Sequence, residues 1–229
     1  NGETAEEVWD TNYVGVWHLS DTTPNAAVGD STTNANTGST YGSMTTGQQV
    51  AGQVNGSFDF DGSDDYTRVP YTESLYADNL GVSFWAKSDN LNYSSNAYVV
   101  SMYDFTGGNR VWAALINSTP DDWAWSIGDT DGAVADSHLT GQGITNSWNH
   151  ITFTWNNTTK LVQFYYNGNF VSSETLTDSF ADQNSFVEFG GLGGGNSFNG
   201  KIDDIRISNT ARSADWIKFA YYNMGGATD

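Results

Sequence analysis

The side chains in this chain best suited to chemistry are acids and amides at short spacings, and the chemistry they suit is capture of a hard cation. The segment Asp30–Gly38 offers Asp30, Asn34 and Asn36. Calcium takes about six to eight oxygen ligands from carboxylates, amides and main-chain carbonyls, and a loop of this spacing can wrap around one. It is not an EF-hand, because no bidentate Glu follows at the required distance. The same three residues equally suit Asx turns. In the last long period-2 segment, Asp203 has the parity of Ile205 and Ile207. If those isoleucines face a core, Asp203 faces inward too. A buried carboxylate needs hydrogen bonds, a cation or a metal. Only eight Lys and Arg are present to supply the cation.

Catalytic arrangements are poorly represented. Glycosidic hydrolysis needs two carboxylates astride one bond, about 5–5.5 Å apart in retaining enzymes. The six Glu (Glu3, Glu6, Glu7, Glu73, Glu174 and Glu188) do not form an alternating acid motif. Asp59 and Asp61 alternate and share a face, but they run straight into the turn at Gly62. No G-x-S-x-G elbow is present. His18, His138 and His150 lack metal-motif spacing and read as structural. Gly190–Asn196 is glycine-rich but leads into a strand pattern rather than a helix, so it reads as a tight rim loop and not a phosphate loop. Asp64-Asp65, Asp121-Asp122, Asp129 and Asp131 read as solvated turn carboxylates.

A second kind of chemistry is available to the aromatics. Sugar recognition stacks aromatic rings on C–H faces and adds polar groups for the hydroxyls. Tyr103, Asp104, Asn109, Arg110, Trp112, Trp123 and Trp125 supply both within one stretch, around the turn Gly107-Gly108-Asn109. These rings serve either a core or a ligand surface. The surplus of 9 Trp, 12 Tyr and 12 Phe implies that some aromatics are exposed.

The elements that must carry these residues are strands. Twelve period-2 segments stand out: Val14–Ser20, Ser57–Asp61, Tyr66–Val69, Val82–Lys87, Ala97–Tyr103, Arg110–Asn117, Trp123–Gly128, His150–Trp155, Leu161–Tyr166, Phe170–Glu174, Phe186–Gly190 and Lys201–Ser208. Their number and spacing predict a β-sandwich. Tyr166-Asn167-Gly168-Asn169-Phe170 is a hairpin signal. The polar stretch Asp21–Gln53 reads as a long loop that something must tie down. Ser213–Asn223 reads as a short helix with Ser213 as N-cap, a stripe of Trp216, Ile217, Ala220 and Tyr221, and Gly225-Gly226 at its end. One domain is expected over residues 8–223, with residues 1–7 a linker or flexible end and 224–229 a flexible end.

Composition narrows the partners. With 27 acids against eight bases the net charge is −19, which argues against phosphate backbones and anionic membrane surfaces. Cysteine is absent, which removes disulfides, thiolate metal sites and a Cys nucleophile. No apolar run is long enough to span a bilayer. The chain opens on Asn with no basic and apolar leader pattern, so it reads as a processed chain or a piece of a longer protein.

An ordered set of motifs adds a family likeness. Val16-Trp17-His18-Leu19-Ser20-Asp21 opens it, followed by Asp30–Gly38 and Ser57-Phe58-Asp59-Phe60-Asp61-Gly62-Ser63-Asp64-Asp65-Tyr66. Val82–Lys87, Trp148–Ile151 and Phe164–Gly168 continue it, and Phe198-Asn199-Gly200-Lys201-Ile202-Asp203-Asp204-Ile205-Arg206-Ile207 closes it. The chain resembles the concanavalin A-like, laminin-G-like jelly-roll domain of large secreted bacterial and archaeal proteins. The resemblance implies an all-β fold: a two-sheet antiparallel jelly-roll sandwich, here with one short C-terminal helix. It implies one structural Ca2+, held by Asp203 with main-chain carbonyls of the opening strand and the loop after it, and with Asp21 and Asp30 as further ligands. The expected function is a non-catalytic, calcium-stabilised, lectin-like module of a larger extracellular or cell-surface protein. Its expected partner is a polysaccharide or glycan, or another extracellular protein, with no nucleic acid and no membrane insertion; it is expected to be a monomeric module. The alternatives are a structural or protein-binding adhesion module, and a glycoside hydrolase working through Asp59 and Asp61.

Overall fold

The computed structural model describes residues 8–21, 27–90, 92–104, 109–118, 121–128, 134–138, 146–179 and 184–226. Strands β1 to β6 are Tyr13–Trp17, Ala27–Val28, Gly38–Tyr41, Gln49–Ala51, Gly56–Asp61 and Tyr66–Val69. Strands β7 to β11 are Leu80–Ser88, Ala97–Asp104, Asn109–Ser118, Asp121–Gly128 and Val134–His138. Strands β12 to β16 are Asn149–Asn156, Leu161–Tyr166, Asn169–Thr175, Val187–Phe189 and Asn199–Ser208, and helix α1 is Ala214–Asn223. Each of the twelve segments expected as strands contains one, although the first ends at Trp17 and not at Ser20. The chain forms an antiparallel two-sheet jelly roll. One sheet runs β14-β13-β12-β7-β16-β5-β4, with β1 also on β16. The other runs β11-β10-β9-β8-β15-β6-β3-β2.

The two inner faces interdigitate through aromatic rings. Trp112 meets Phe153 at 5.5 Å, Trp125 meets Phe164 at 4.9 Å, and Trp17 meets Phe189 at 5.4 Å between ring centroids. Phe84, Phe58, Phe60, Ile151 and Trp123 fill the space between them, all fully buried. The period-2 pattern is why this works: each strand turns every second side chain onto the shared face.

The stretch expected as one long loop is instead built into both sheets. β2, β3 and β4 come from residues 27–51, with Val28 and Thr40 buried. They are only two to four residues long and are set among polar turn residues, too short for a period-2 signal to show. The loop between β2 and β3 is tied down by Asp30. Its Oδ1 accepts from the main-chain N–H of Val16 and of Thr32, both at 2.9 Å; its Oδ2 accepts from Thr32 Oγ1 and the Asn36 N–H, both at 2.9 Å. β11 also escaped the pattern.

Two local expectations hold. Asn167 and Gly168 take φ of 49° and 74°, making the tight turn between β13 and β14. Ser213 Oγ accepts from the Trp216 N–H at the start of α1, and Gly225 has φ 90° at its end. On α1, however, Ile217 is buried while Trp216 is exposed.

β16 changes partner partway along. It pairs with β5 as far as Ile202↔Phe58 and with β1 from Ile205↔Trp17. Between them lies a bulge against β7, with Asp203 opposite Trp85 and Arg206 opposite Ser83. Asp204 in the bulge has φ 50°. Ile202 and Ile205 therefore both reach the core although their parities differ. Asp203 is buried, but by the bulge and on the Trp85 face, not by sharing the isoleucines' parity.

Candidate functional site

The junction of β1, β5 and β16 is where the carboxylates converge. Asp203 is 1% exposed; its Oδ2 accepts from the Val54 N–H at 2.7 Å, and its Oδ1 is buried with no hydrogen-bond partner of normal geometry, the Gln53 N–H alone bearing weakly on the carboxylate. Burial foremost, with the neighbouring Asp204 charge adding, pushes its pKa up to about 6 against the opposing pull of the Val54 N–H. The turn between β4 and β5 closes over it. A Cβ placed on Gly52 would lie 2.4 Å from Asp203 Oδ2 and 2.4 Å from the Gly56 carbonyl oxygen, so a carboxylate and a carbonyl crowd one spot left open by a glycine. The same turn touches the opening segment, since a Cβ on Gly56 would sit 2.8 Å from Ser20 Cα. Asp203 thus offers one oxygen, Oδ1, without a donor of normal geometry, and a second, Oδ2, shared between the Val54 N–H and the neighbourhood of the Gly56 carbonyl; carboxylate and carbonyl oxygens are the ligand types Ca2+ takes.

The other expected metal ligands are disposed differently. All the accepting capacity of Asp30 goes to protein donors, as described above. Asn36 is buried, giving its amide to Val14 O at 2.7 Å and Ser74 Oγ and taking hydroxyls from Thr72 and Ser74 on its Oδ1. Asn34 turns its amide to the carbonyls of Tyr13 and Val14. Asp30, Asn34 and Asn36 fasten the loop to β1 by hydrogen bonds; the Asx geometry is seen at Asp30, whose Oδ1 takes the Thr32 N–H, while Asn34 and Asn36 work through their amide groups. Asp21 is half-buried, with Oδ2 taking the Gly29 N–H at 3.4 Å.

Sequence reasoning did not single out Asp204. It is buried between His18 Nδ1 at 2.8 Å and Arg206 Nη2 at 2.6 Å. Asp65 and Asp122, expected in solvent, are also buried. Asp129 and Asp131, and the side chain of Asp121, lie outside the described residues.

The expected sugar surface divides by strand parity. Trp112, Trp123 and Trp125 are fully buried on the inner face and unavailable to any ligand. Tyr103 is half-buried on the opposite face, beside Tyr98 and a small cluster of Ala113, Leu115, Ala124 and Leu192. The backbones of Asp104 and Asn109 pair, as do those of Tyr103 and Arg110. The side chains of Asp104, Asn109 and Arg110, and residues Gly107-Gly108, lie outside the described residues.

A different aromatic surface stands on that outer face, across β3, β6 and the start of β15. Tyr41 and Tyr66 are register partners, stacked at 4.8 Å and 9°. Tyr41 is 42% exposed and Phe186 is 43% exposed. Arg68 lies over both tyrosines and sits 4.4 Å from the Phe186 ring centroid. Its guanidinium is held by Glu188, with Nε at 2.7 Å and Nη2 at 2.6 Å from Oε1. The glycine-rich loop turns tightly here, with Gly193 and Gly194 at φ 56° and 83°, and comes alongside Arg68 and Tyr66 without covering them with side chains. The sequence hint was available: β6 reads Tyr-Thr-Arg-Val, alternating out and in.

Asp59 is bound by Lys201 Nζ at 3.0 Å, and Lys201 also reaches Asp89 at 3.1 Å. Asp61 instead joins Asp64 and Asp65. No helix among the described residues is long and apolar enough to cross a membrane.

A family model described as the concanavalin A-like lectin/glucanases superfamily matches residues 61–218. No curated protein matches the chain in sequence. Among solved structures, the binding domain of Paraclostridial Mosquitocidal Protein 1 superposes with a TM-score of 0.73 at 20% identity, covering 93% of this chain and 52% of that one. The botulinum neurotoxin serotype D ligand binding domain in complex with N-acetylneuraminic acid has a TM-score of 0.69 at 18% identity, covering 96% and 52%. The botulinum neurotoxin type G receptor binding domain has a TM-score of 0.67 at 16% identity, covering 93% and 51%. The chain spans about half the length of these structures, and the likeness is one of fold.

Proposed function

From the premise that this chain belongs to the concanavalin A-like lectin/glucanases superfamily, we propose that it is a non-catalytic, carbohydrate-binding module of a larger extracellular protein, stabilised by one calcium ion. The observation that carries the reading is the Tyr41–Tyr66–Arg68–Phe186 surface. Two stacked rings and a third set around a fixed guanidinium offer apolar faces for sugar C–H groups and donors for hydroxyls or a carboxylate. A protein gains little stability from keeping such rings in water, so their exposure points to a ligand. One of the structures of this fold is a complex with N-acetylneuraminic acid, which makes acidic sugars a sensible first probe for Arg68.

The calcium part of the proposal rests on Asp203 Oδ1 and the Gly52 cradle. Asp203 would hold the ion with nearby main-chain carbonyls, and the ion would neutralise a carboxylate that the fold otherwise buries without a full set of partners. Asp59, ion-paired to Lys201, is poorly placed to act as one of two free catalytic acids.

A glycan array followed by affinity electrophoresis tests the reading. Binding to a glycan that Tyr66→Ala abolishes supports it. No binding to any glycan, or binding unchanged in Tyr66→Ala, overturns it. A second reading, a protein-binding adhesion module, draws on the exposed Trp216 and Phe219 of α1; it would show as binding to a protein partner that Phe219→Ala weakens and Tyr66→Ala does not.

A further inference from the structure

The turn between β5 and β6 carries three carboxylates in one place. Asp61 ends β5, Gly62 turns the chain at φ 77°, and Asp64 and Asp65 lead into β6. One carboxylate oxygen from each lies within 4.8 Å of the other two. Asp61 and Asp64 are exposed, but Asp65 is 0% exposed and neither of its oxygens has a hydrogen-bond partner of normal geometry.

Two like charges do not gather around a buried, poorly bonded carboxylate without compensation. Burial first, then the charges of Asp61 and Asp64, push Asp65 up to about 6, and the main-chain N–H groups of Asp61 and Ser43 offset this only in part. The nearby bases are committed elsewhere: Arg68 to Glu188 and Lys201 to Asp59 and Asp89. The neutral groups around the cluster satisfy it only in part: the Ser63 N–H donates to Asp61 Oδ1 at 2.7 Å. Ser43 Oγ donates to Asp64 Oδ2 at 3.3 Å, and Gly42 packs so closely on the Asp64 main chain that a Cβ there would lie 2.3 Å from the Asp64 carbonyl oxygen.

We infer that Asp61, Asp64 and Asp65 form a second divalent-cation site, separate from Asp203 and of a chemistry that suits Ca2+. All three side-chain ligands are hard oxygens, and the exposed side leaves room for water, which matches calcium's high and flexible coordination better than the strict octahedron of Mg2+. The ion converts the poorly bonded Asp65 carboxylate from a burial cost into a ligand. The inference does not rest on glycan binding. The site nevertheless adjoins the aromatic surface: Tyr66 follows Asp65, and a Cβ on Gly194 would lie 3.6 Å from Tyr66 and 3.8 Å from Asp64 O.

The test uses terbium as a calcium mimic, excited through the neighbouring tyrosines, on the full chain carrying Asp203→Asn so that the first site is silent. The expected result is saturable emission that CaCl2 displaces, with affinity at least about tenfold weaker when Asp64→Asn is added, since losing a ligand should cost no less than losing an outer-shell partner. Asp64 is exposed, so its replacement leaves folding intact. Emission that is absent, or unchanged by Asp64→Asn, overturns the site. A second measurement is the melting temperature of Asp65→Asn. If Asp65 is only a buried protonated acid, Asp65→Asn melts higher by the same increment with and without calcium, and the inference fails. If it is a ligand, the variant gains stability in chelator and loses the calcium-dependent rise. Glycan binding is scored separately, so a failed glycan screen leaves this result standing.

Discussion

Asp204 Oδ1 lies 2.8 Å from His18 Nδ1, across 186 residues of chain. This pair closes the gap where β16 passes from β5 to β1. His18 leaves β1, Asp204 sits in the bulge with a left-handed backbone, and Arg206 takes its other oxygen. Burial would raise the Asp204 pKa, but His18 and Arg206 together hold it below the ordinary carboxylate range. The ionised acid is thus the structural partner that fixes the bulge, and the bulge is what places Asp203 under the Gly52 turn.

Removing Asp204 should therefore be costly. Asp204→Asn leaves the half-buried Arg206 guanidinium without its counter-charge, a loss of about 3–5 kcal/mol. His18→Gln removes a partner that is about one-third exposed and should cost under about 1 kcal/mol. Urea unfolding followed by tryptophan fluorescence checks the order. Equal losses for the two variants would mean that Asp204 does not anchor the bulge through Arg206.

Calcium at Asp203 should appear as heat stability. An ion at about 100 times its dissociation constant adds about 2.7 kcal/mol, or about 5–10 °C for a domain of this size. Asp203→Asn and Gly52→Ala should each remove that site's share of the rise, the second by putting a methyl where carboxylate and carbonyl meet. Gly47→Ala is the control, because a Cβ there meets nothing closer than Thr45 Oγ1 at 3.4 Å. Differential scanning calorimetry in CaCl2 and in EDTA decides it. A Gly52→Ala protein with an undiminished calcium response would remove the cradle from consideration.

Much of this was readable in advance and some was not. Twelve strands, the Asn167-Gly168 turn and the Ser213 cap follow from local patterns, because alternation and turn residues are set by neighbours in sequence. The bulge at Asp203–Asp204 is set by where two other strands end, and no spacing within β16 reports that. For the same reason Asp203 was expected to face the core beside Ile205, while Asp204 went unnoticed. The tryptophans show a second limit. Trp123 and Trp125 share a face with Ile127, but alternation alone does not say which face meets the other sheet. Tyr41 lay in a segment too polar to look like a strand, so its pairing with Tyr66 was invisible.

The aromatic surface and the aromatic core should respond oppositely to truncation. Tyr66→Ala or Tyr41→Ala removes one side of a cross-strand pair and should cost at most about 1 kcal/mol of stability, yet abolish glycan affinity. Trp125→Ala opens the core beside Phe164 and should cost about 3–5 kcal/mol, with affinity unchanged in the fraction that remains folded. Calorimetric titration beside chemical denaturation separates the two. A Trp125→Ala protein that stays fully folded and loses sugar binding would move the ligand surface back to the sheet interior.

His150 gives the protein a dependence on acid that is separate from its carboxylates. It is buried beside Trp85, with ring centroids 5.1 Å apart, and burial foremost, then the Arg206 charge, push its pKa down to about 3 while Asp204 pulls the other way. The unfolded chain protonates this imidazole near pH 6.5 and the folded chain does not. Between those values the unfolded state binds the extra proton, so stability falls as pH drops through 6.5, by about 1.4 kcal/mol per unit. His150→Phe keeps a ring against Trp85 and removes the titration. The variant should therefore gain about 2 kcal/mol relative to the parent between pH 7 and pH 5, whatever its starting difference. Urea midpoints across that range measure it. Parallel curves for the two proteins would mean that His150 accepts its proton in the folded state.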